Sequence, residues 1–481
     1  MKLTVDLGKK ILVKVNEAAS ELNLDVYAVG GFVRDLYLGR AGTDIDFVVL
    51  GDAIKFANFF KKKVGGGKVV TYPRFGTAML DFNKWRLEFV AARAEHYHED
   101  SRKPTVRQAN LQSDLSRRDF TINCLAMDIS PESMGEVVDI FDGIADLDKK
   151  RIRTPLDPVI TFNDDPLRIL RAIRFATQLQ FEIEAATYRA IVDTRERLKI
   201  ISQERITEEF RKLMMAEKPS IGLDLLRKTG VSTIVFPELD KLAGVEQRQE
   251  FHHKDVFYHT LEVVDNISKH TDRFELRMVA LLHDIAKPQT KRFVEGVGWT
   301  FHGHEELGAR MVERIGRRMK LPLNTIKYIK KLVRLHMRPS QLVEEDVTDS
   351  AIRRMMVEAG EEIDDLMTMC RADITSKNPK KVQRFLANFD TVEARIKAVE
   401  AKDQLRQFKP AFSGADIMKH LNIPPGPLVG EIKQAIVDAI LDGKIANDYE
   451  ACYQFFIENK ERFLQLATQG GERERLNSKI Q

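Results

Sequence analysis

The sequence contains little cysteine and no long apolar segment. Its cysteines, Cys124, Cys370 and Cys452, lie far apart without CxxC spacing, so neither a disulfide framework nor a thiolate zinc site is indicated. No uninterrupted apolar run approaches the ~20 residues that span a bilayer. The first twenty residues lack the apolar stretch and the cleavage site of a signal peptide. These absences predict a soluble, cytoplasmic protein with no membrane partner.

A large excess of one charge sign is also absent. The 481 residues include 76 Lys and Arg against 72 Asp and Glu, a net charge of +4, which does not favour strong non-specific DNA binding. Carboxylate clusters nevertheless alternate with arginine-rich segments such as residues 168–174. This local segregation fits a polyanionic substrate that is also chemically processed. The chain is long enough for two to four domains, and 43% of its residues are hydrophobic.

The spacing of apolar residues changes near Pro155. Before it, short apolar runs predict a small sheet with intervening helices, and residues 93–116 read as an irregular loop. After it, a 3.6-residue period predicts helices almost throughout. The predicted strands are 26–29, 45–50, 69–72, 76–80 and 86–90, and the predicted helices are 9–22, 31–38, 52–63, 166–178, 185–197, 204–215, 256–270, 274–286, 305–319, 323–336, 348–359 and 381–399. The predicted fold class is α+β, with an α/β head on a long helical body.

Two carboxylates open one of the predicted strands. Asp44 and Asp46 are two residues apart, so both should face one site while Ile45 faces the core. Such close carboxylates repel each other unless a cation shares them, and oxygen ligands favour Mg²⁺. A bare pair of this kind is more often merely solvated. Upstream, however, Gly30-Gly31 separates a strand from a helix, a turn that lets the backbone approach a phosphate.

Taken in order, these motifs resemble class II nucleotidyltransferases of the polymerase-β superfamily. The quoted residues are GGFVRDLYLG from Gly30, DID from Asp44 and RRDFTIN from Arg117. This group comprises tRNA CCA-adding enzymes and bacterial poly(A) polymerases. The resemblance implies Mg²⁺-dependent catalysis by Asp44 and Asp46, with Glu88 on a neighbouring strand as a third carboxylate. It implies nucleotide binding by Gly30, Gly31, Arg34, Arg118, Asp119 and Asn123, with Cys124 replacing the usual alanine and Asp142-Gly143 resembling a hinge motif.

A third motif opens a predicted helix after the head. Asp165 precedes Pro166 and could simply cap the helix, leaving Arg168 as a surface charge. Alternatively, an Asp accepts from the exocyclic amine of C or A while an Arg donates to a ring acceptor, which would select CTP and ATP over UTP and GTP. The family's Glu-Asp-x-x-Arg motif forms that template, and Asp164 stands here in place of its Glu. The resemblance also implies nucleotide or RNA contacts by Arg171 and Arg174.

Histidines with metal-ligand spacing lie in the helical body. The order His259, His283-Asp284 and Asp373 resembles the HD phosphohydrolases, whose helical bundle holds a divalent metal. Imidazole and carboxylate ligands do not choose among Mn, Fe, Ni, Zn and Mg, so the metal's identity stays open. His304 and His336 lie between these anchors, as in HD proteins that bind two metals, although histidines at such positions are more often surface residues than ligands. A helical body that retains this fold without activity is the alternative.

The resemblance implies four segments and one main reaction. The segments are a polymerase-β-like nucleotidyltransferase head (1–140), a helical neck that binds nucleotide and RNA (141–240), an HD metal-binding helical bundle (241–390) and a helical tail for tRNA (391–481). The reaction adds CMP and AMP from CTP and ATP to the 3′ end of tRNA. The alternatives are a poly(A) polymerase, an HD phosphohydrolase and a non-catalytic RNA-binding module. The mixed C-terminal sequence, without an arginine-rich extension, favours tRNA.

Overall fold

The computed structural model divides the chain into two compact units. The first combines Met1–Phe274 with Arg317–Leu321, and the second combines Glu275–Gly316 with the chain from Pro322 onward. The structure describes residues 1–4, 9–40, 42–98, 101–249, 252–343, 348–376, 378–403 and 408–463.

The strands are short, and most of the longer ones lie in the first hundred residues. They are β1 (Val26–Val29), β2 (Asp44–Val49), β3 (Lys68–Tyr72), β4 (Thr77–Phe82), β5 (Trp85–Ala91), β6 (Arg93–His98), β7 (Ser101–Gln108), β8 (Leu125–Asp128), β9 (Val137–Asp139), β10 (Arg151–Ile152), β11 (Glu182–Ile183), β12 (Glu246–Gln249), β13 (His252–Asp255), β14 (Arg292–Val294) and β15 (Gly298–Thr300).

Seven of these strands form the head sheet, in the order β3-β4-β5-β2-β1-β8-β9. The pair β2–β5 is parallel and the other neighbours in this sheet are antiparallel. Alternation along β2 buries Ile45 and Phe47 completely. The Phe47 ring stacks on that of Phe89 in β5, and Phe56 and Phe60 pack edge-on against Phe89. This apolar core fixes β2 and β5 in register, and with them the carboxylates that they carry.

Helices make up most of the remaining chain. They are α1 (Lys9–Glu21), α2 (Gly31–Tyr37), α3 (Ala53–Val64), α4 (Leu111–Ser116), α5 (Gly143–Asp148), α6 (Pro158–Asp164), α7 (Leu167–Leu179), α8 (Ala185–Thr194), α9 (Gln203–Met214), α10 (Pro219–Lys228), α11 (Ser232–Val235), α12 (Pro237–Asp240), α13 (Val256–Ser268), α14 (Phe274–Leu282), α15 (Lys287–Thr290), α16 (His304–Arg318), α17 (Leu323–Leu335), α18 (Arg338–Gln341), α19 (Asp349–Ala359), α20 (Ile363–Ala372), α21 (Pro379–Asp403), α22 (Gly414–Leu421), α23 (Pro427–Leu441) and α24 (Tyr449–Glu458).

Local sequence explains where several helices begin. The Asp52 carboxylate accepts the Lys55 backbone N–H and so caps α3. Asp157 caps α6 in the same way, and Pro158 occupies the first turn, where its missing N–H costs nothing. Ser413 and Asp416 form a reciprocal capping box at α22. These caps satisfy backbone N–H groups that the helices leave without intrahelical partners.

The α+β expectation is confirmed, since most of the described residues are helical and a β-sheet forms the head. The five predicted head strands and all twelve predicted helices are present, with boundaries shifted by a few residues. The irregular loop over 93–116 was wrong. This segment contains the antiparallel pair β6–β7 and helix α4, because backbone pairing does not require an apolar sequence pattern. Strands β8 and β9, which were not predicted, complete the sheet beside β1.

No helix in the described ranges combines the length and the apolar character needed to cross a membrane.

Candidate active site and metal centre

The carboxylates of the head lie on two neighbouring parallel strands. Asp44 and Asp46 leave the same face of β2, with Ile45 buried between them on the other face. The register of β2 and β5 places Asp46 directly opposite Glu88. Asp44 is exposed, whereas Asp46 and Glu88 are partly buried. The structure therefore brings together the three carboxylates that the sequence singled out.

The electrostatics of these carboxylates favour a cation. The pKa of Asp46 is raised, because burial and the charge of Asp44 together outweigh the opposing charge of Arg118. Burial also raises the pKa of Glu88, and the charge of Asp46 adds to that rise. Asp44 thus opposes the ionisation of Asp46, and Asp46 opposes that of Glu88, so a bound divalent cation would relieve this repulsion. A set of oxygen ligands alone fits Mg²⁺.

The glycine turn before α2 is needed for the backbone path beside this site. Gly30 has a φ of +70°, a conformation that side-chain-bearing residues rarely adopt. A Cβ at this position would also lie 2.9 Å from Nη1 of Arg118. At Gly31 the nearest atom would be Nη2 of Arg34, at an ordinary 3.6 Å. The requirement for glycine is therefore conformational and steric at Gly30.

A hydrogen-bond network connects the predicted nucleotide-binding residues of the head to helix α7. Nη1 of Arg34 donates to Oδ1 of Asn123 at 2.7 Å, and Nδ2 of Asn123 donates to Oδ1 of Asp119 at 3.0 Å. Nε of Arg171 donates to Oδ2 of the same Asp119 at 2.7 Å. Burial would raise the pKa of Asp119, but Arg171 and Asn123 outweigh it and lower the pKa to about 2. Asp119 is therefore an ionised, buried junction.

Two aspartates that sequence reasoning missed anchor the segment that carries Asp119. Asp114 is fully buried and accepts hydrogen bonds from the guanidinium groups of Arg117 and Arg118. Asp146, also fully buried, accepts from Thr121 Oγ1 at 2.7 Å and from two arginines further along the chain. The spacing of Asp114 three and four residues before the arginines was a usable signal. No comparable local pattern identifies Asp146.

Asp165 and Arg168 both make contacts that a structural role explains. Oδ1 of Asp165 accepts the backbone N–H of Leu167 at 3.2 Å, so this residue does help to cap α7. Arg168 is buried, and its Nη2 donates to the carbonyl of Arg117 at 2.6 Å. That bond places the Arg168 guanidinium beside the segment that carries Arg118. Reading of a base by this pair stays a prediction.

Three arginines from two parts of the first unit pack around the ring of Phe175. The guanidinium carbons of Arg174, Arg34 and Arg171 lie 4.0, 5.1 and 5.4 Å from the centroid of its ring. Nε of Arg174 also donates to the buried Glu209 at 2.6 Å. The predicted contact of Arg174 with nucleotide stays a prediction, and the ion pair favours a supporting role. Sequence reasoning missed Phe175, although its position next to Arg174 in α7 was visible.

The second unit holds a cluster of metal-ligand side chains. Ligand atoms of Asp284, His304 and His336 all lie within 4.8 Å of one another, and the three residues are buried. Nδ1 of His304 lies 2.8 Å from the Phe301 carbonyl, and Nδ1 of His336 lies 2.6 Å from the Val333 carbonyl. Because a carbonyl only accepts, each Nδ1 carries the proton and each Nε2 presents a lone pair. These two Nε2 atoms are 3.3 Å apart, an arrangement that suits a shared cation.

His283 and Asp373 extend this cluster. Nε2 of His283 lies 3.2 Å from Oδ2 of Asp284 and 3.4 Å from Oδ1 of Asp373. Burial opposes protonation of His283, but the two carboxylates outweigh it and raise its pKa to about 10. The field at this centre therefore strongly favours positive charge, as a divalent metal would supply. His259, the fourth residue of the predicted set, is buried on α13 in the first unit, and its place in the set stays a prediction.

Three family profiles match the chain in sequence order. Residues 26–153 match the Poly A polymerase head domain, residues 180–242 match the family described as "Probable RNA and SrmB- binding site of polymerase A", and residues 256–377 match the HD domain. With the sheet and carboxylates described above, these matches define a nucleotidyltransferase with an HD domain.

Relatives that align over nearly the whole chain identify the family. A CC-adding tRNA nucleotidyltransferase of Thermus thermophilus is 30% identical, covering 89% of this chain and 92% of its own. An A-adding tRNA nucleotidyltransferase of Deinococcus radiodurans is 31% identical, covering 88% and 93%. A CCA-adding enzyme of Leuconostoc mesenteroides is 28% identical, covering 93% and 95%. The chain belongs to the tRNA nucleotidyltransferase family.

A solved structure shares the fold. The apo form II structure of a CCA-adding enzyme superposes with a TM-score of 0.61 at 24% identity, covering 94% of this chain and 95% of its own. The expected family and the expected α+β fold are both confirmed.

The depressed pKa of Asp119 predicts a specific pH dependence of stability. The pKa falls from 3.8 to about 2 on folding, so the stabilisation is complete above about pH 5 and is lost as the pH falls toward 2. Between pH 6 and pH 3 the wild type should lose about 1 kcal/mol more free energy of unfolding than the Asp119→Asn variant. Urea unfolding at both pH values measures this difference. Asp193 is exposed and provides the control, because the free energy of unfolding of Asp193→Asn should depend on pH as that of the wild type does. The same pH dependence in Asp119→Asn and the wild type would contradict an ionised Asp119.

Proposed function

We propose that this chain is a template-independent, cytoplasmic nucleotidyltransferase that adds CMP and AMP from CTP and ATP to the 3′ end of tRNA, in CCA addition or repair. The observation that carries this proposal is the register of β2 and β5, which sets Asp46 opposite Glu88 and beside Asp44. The whole-length relatives, which are a CC-adding, an A-adding and a CCA-adding enzyme, support nucleotide addition with tRNA as the acceptor.

The proposed roles divide the chain into four segments. Residues 1–140 form the catalytic head, 141–240 the neck that binds nucleotide and RNA, 241–390 the HD domain, and 391–481 the tail that helps to bind tRNA. The family matches to a polymerase head, an RNA-binding segment and an HD domain support the first three.

The reaction is a phosphoryl-group transfer to an RNA hydroxyl. The 3′-hydroxyl releases its proton to solvent as its oxygen bonds to the α-phosphorus of the nucleotide, the bond from that phosphorus to the bridging oxygen of the β-phosphate breaks, and pyrophosphate leaves. Asp44, Asp46 and Glu88 would hold Mg²⁺, which when bound lowers the pKa of the attacking hydroxyl and neutralises the leaving phosphates. The turn at Gly30-Gly31 would accommodate the triphosphate.

Arginines around this turn would bind and orient the nucleotide. The charges of Arg118 and Arg171 act on Asp46. Asp35, Asp114 and Asp119 accept hydrogen bonds from Arg34, Arg118 and Arg171 respectively and so hold their guanidinium groups in place. Asn123 and Asp119 would contact the ribose through polar atoms of the same network. Fixed donors cost little reorganisation during the reaction.

One assay on the purified protein tests both the proposed tRNA acceptor and the proposed choice of nucleotides. With tRNA that lacks its 3′ end and each nucleoside triphosphate supplied separately, we expect incorporation of CMP and AMP but not of UMP or GMP. Asp44→Ala should lower the rate at least about 100-fold, because the carboxylates act together on charge that develops in the reaction. Asp81→Ala, at an exposed position of β4, is the matched control and should react like the wild type.

The nucleotides used in this assay also separate the alternatives. Incorporation of C alone or A alone would identify a CC-adding or A-adding specialist, and long A tracts would identify a poly(A) polymerase. No incorporation by the wild type would contradict the proposal and favour the HD phosphohydrolase alternative.

Base selection by Asp165 and Arg168 predicts a change in nucleotide preference. Each hydrogen bond to a base edge contributes about 1–3 kcal/mol of discrimination, so Arg168→Ala should reduce the preference for CTP over UTP about 5- to 150-fold. Asp165→Asn keeps a side-chain oxygen that can cap α7 but lowers its acceptor strength, so it should misincorporate while leaving stability unchanged. Single-nucleotide incorporation ratios and urea unfolding measure the two effects. Arg189→Ala, at an exposed position of α8, is the control and should keep the wild-type nucleotide preference. An unaltered nucleotide preference in Asp165→Asn would leave Asp165 with only the capping role.

The HD centre would hold a second divalent metal of unassigned identity. Asp284, His304 and His336 would be ligands, with His283 and Asp373 beside them, and the metal when bound would polarise a phosphate ester or a water for hydrolysis. The convergent Nε2 lone pairs and the negative field at His283 support this proposal.

Metal content provides the test of this centre. His304→Ala should lower the divalent metal bound per chain, because one of three close ligands is removed. Even the loss of a residue that only orients a metal ligand lowers metal affinity about 10- to 100-fold, and we expect at least this loss here. Elemental analysis of purified protein, and metal titration after chelation, measure the change. His302→Ala is the matched control, since His302 is exposed two residues before His304. Equal metal content in both variants would contradict the centre.

A further inference from the structure

The second unit carries a small exposed hairpin that the proposed activities do not use. Strands β14 and β15 pair antiparallel, with Phe293 directly opposite Trp299. Their rings meet edge to face at 5.3 Å between centroids. Phe293 is 65% exposed and Trp299 is 42% exposed. Two large aromatic side chains therefore stand together in solvent on one face of the hairpin.

Positive charge accompanies this aromatic pair. Nζ of Lys291, the residue immediately before β14, lies 4.4 Å from the centroid of the Trp299 ring. Arg292 beside it is exposed. Aromatic faces flanked by Lys and Arg are suited to stacking on nucleobases while the cations attract phosphates.

The hairpin is tied to the HD centre. Phe301 follows β15, and its carbonyl accepts from Nδ1 of His304 at 2.8 Å. Nζ of Lys287 lies 5.5 Å from the Phe301 ring and 2.7 Å from Oδ2 of Asp284. The residues on both sides of the hairpin therefore contact the metal-ligand cluster directly.

We infer that the hairpin β14–β15 is a stacking platform for the bases of single-stranded RNA, placed beside the HD centre. Phe293 and Trp299 stack on the bases, and Lys291 and Arg292 bind the phosphates. The inference rests on the proposed function only in taking RNA as the substrate class. RNA is favoured over a protein partner because the exposed rings are bordered by cations, which a purely apolar docking surface does not require.

The sequence offers a selective probe of this platform. The chain has only two tryptophans, Trp85 and Trp299. In a full-length Trp85→Phe protein, all tryptophan fluorescence therefore reports the hairpin. Titration with a nine-residue single-stranded RNA of C and A, without nucleoside triphosphates and with chelator, should quench this fluorescence saturably. The same RNA in a duplex, whose bases are already stacked, should not quench it. Absence of quenching by single-stranded RNA overturns the inference.

Substitutions on the hairpin separate base stacking from general apolar contact. Phe293→Ala should weaken RNA binding by at least about fivefold, whereas Phe293→Tyr should retain it because the ring is kept. Val297→Ala is the matched control, since Val297 is 67% exposed on the same hairpin but has no ring, and it should not alter binding. Equal weakening by Val297→Ala and Phe293→Ala would show an apolar docking surface instead and overturn base stacking. Failure of Phe293→Tyr to retain binding would do the same.

Nucleotide addition to tRNA, assayed in the same preparations, keeps this inference separate from the proposed function. If the Trp85→Phe protein shows quenching but the wild type shows no nucleotide addition, the proposed function is overturned and the platform is supported. Addition without quenching overturns the platform alone.

Discussion

The carboxylate of Asp119 joins the parts of the first unit on which the candidate active site depends. It accepts hydrogen bonds from Asn123 and Arg171 at the same time, and Asn123 in turn holds Arg34. A buried carboxylate keeps its charge only when its partners outweigh the loss of water, and here they lower its pKa to about 2. Removal of Arg171 would take away the positive charge that contributes most to keeping this buried carboxylate ionised, so the head and helix α7 constrain each other.

Positive and negative groups lie close together around this junction. Burial and neighbouring carboxylates raise the pKa values of Asp46 and Glu88, and the charge of Arg118 opposes both rises. A bound cation and a triphosphate would complete the charge balance. Phe175 adds an apolar surface against which three guanidinium groups pack, which limits their freedom without neutralising them.

The second unit uses a different chemistry for the same purpose of binding charge. Backbone carbonyls fix the tautomers of His304 and His336, so that two imidazole Nε2 atoms and the Asp284 carboxylate present ligand atoms within 4.8 Å of one another. The head therefore presents oxygen ligands that suit Mg²⁺, while the HD centre presents mixed ligands that accept several metals. Two different sets of metal-ligand side chains in one chain fit the proposed transfer reaction in the head and the proposed metal site of the HD domain.

The order of motifs in the sequence was sufficient to predict the family, and the spacing of apolar residues was sufficient to predict the α+β class. The positions of Asp44 and Asp46 on one face of a strand were also predictable, because the two-residue period of a strand is a local property. The capping position of Asp165 was likewise readable from the proline that follows it. The sequence did not reveal β6 and β7, whose polar residues follow no apolar alternation. It also did not indicate Asp146, Glu209 or Phe175 as parts of the site. Their roles arise from partners many residues away, as when Glu209 pairs with Arg174 across two helices. Local pattern determines the element and the face of a side chain, but only tertiary packing decides which distant charge or ring it meets.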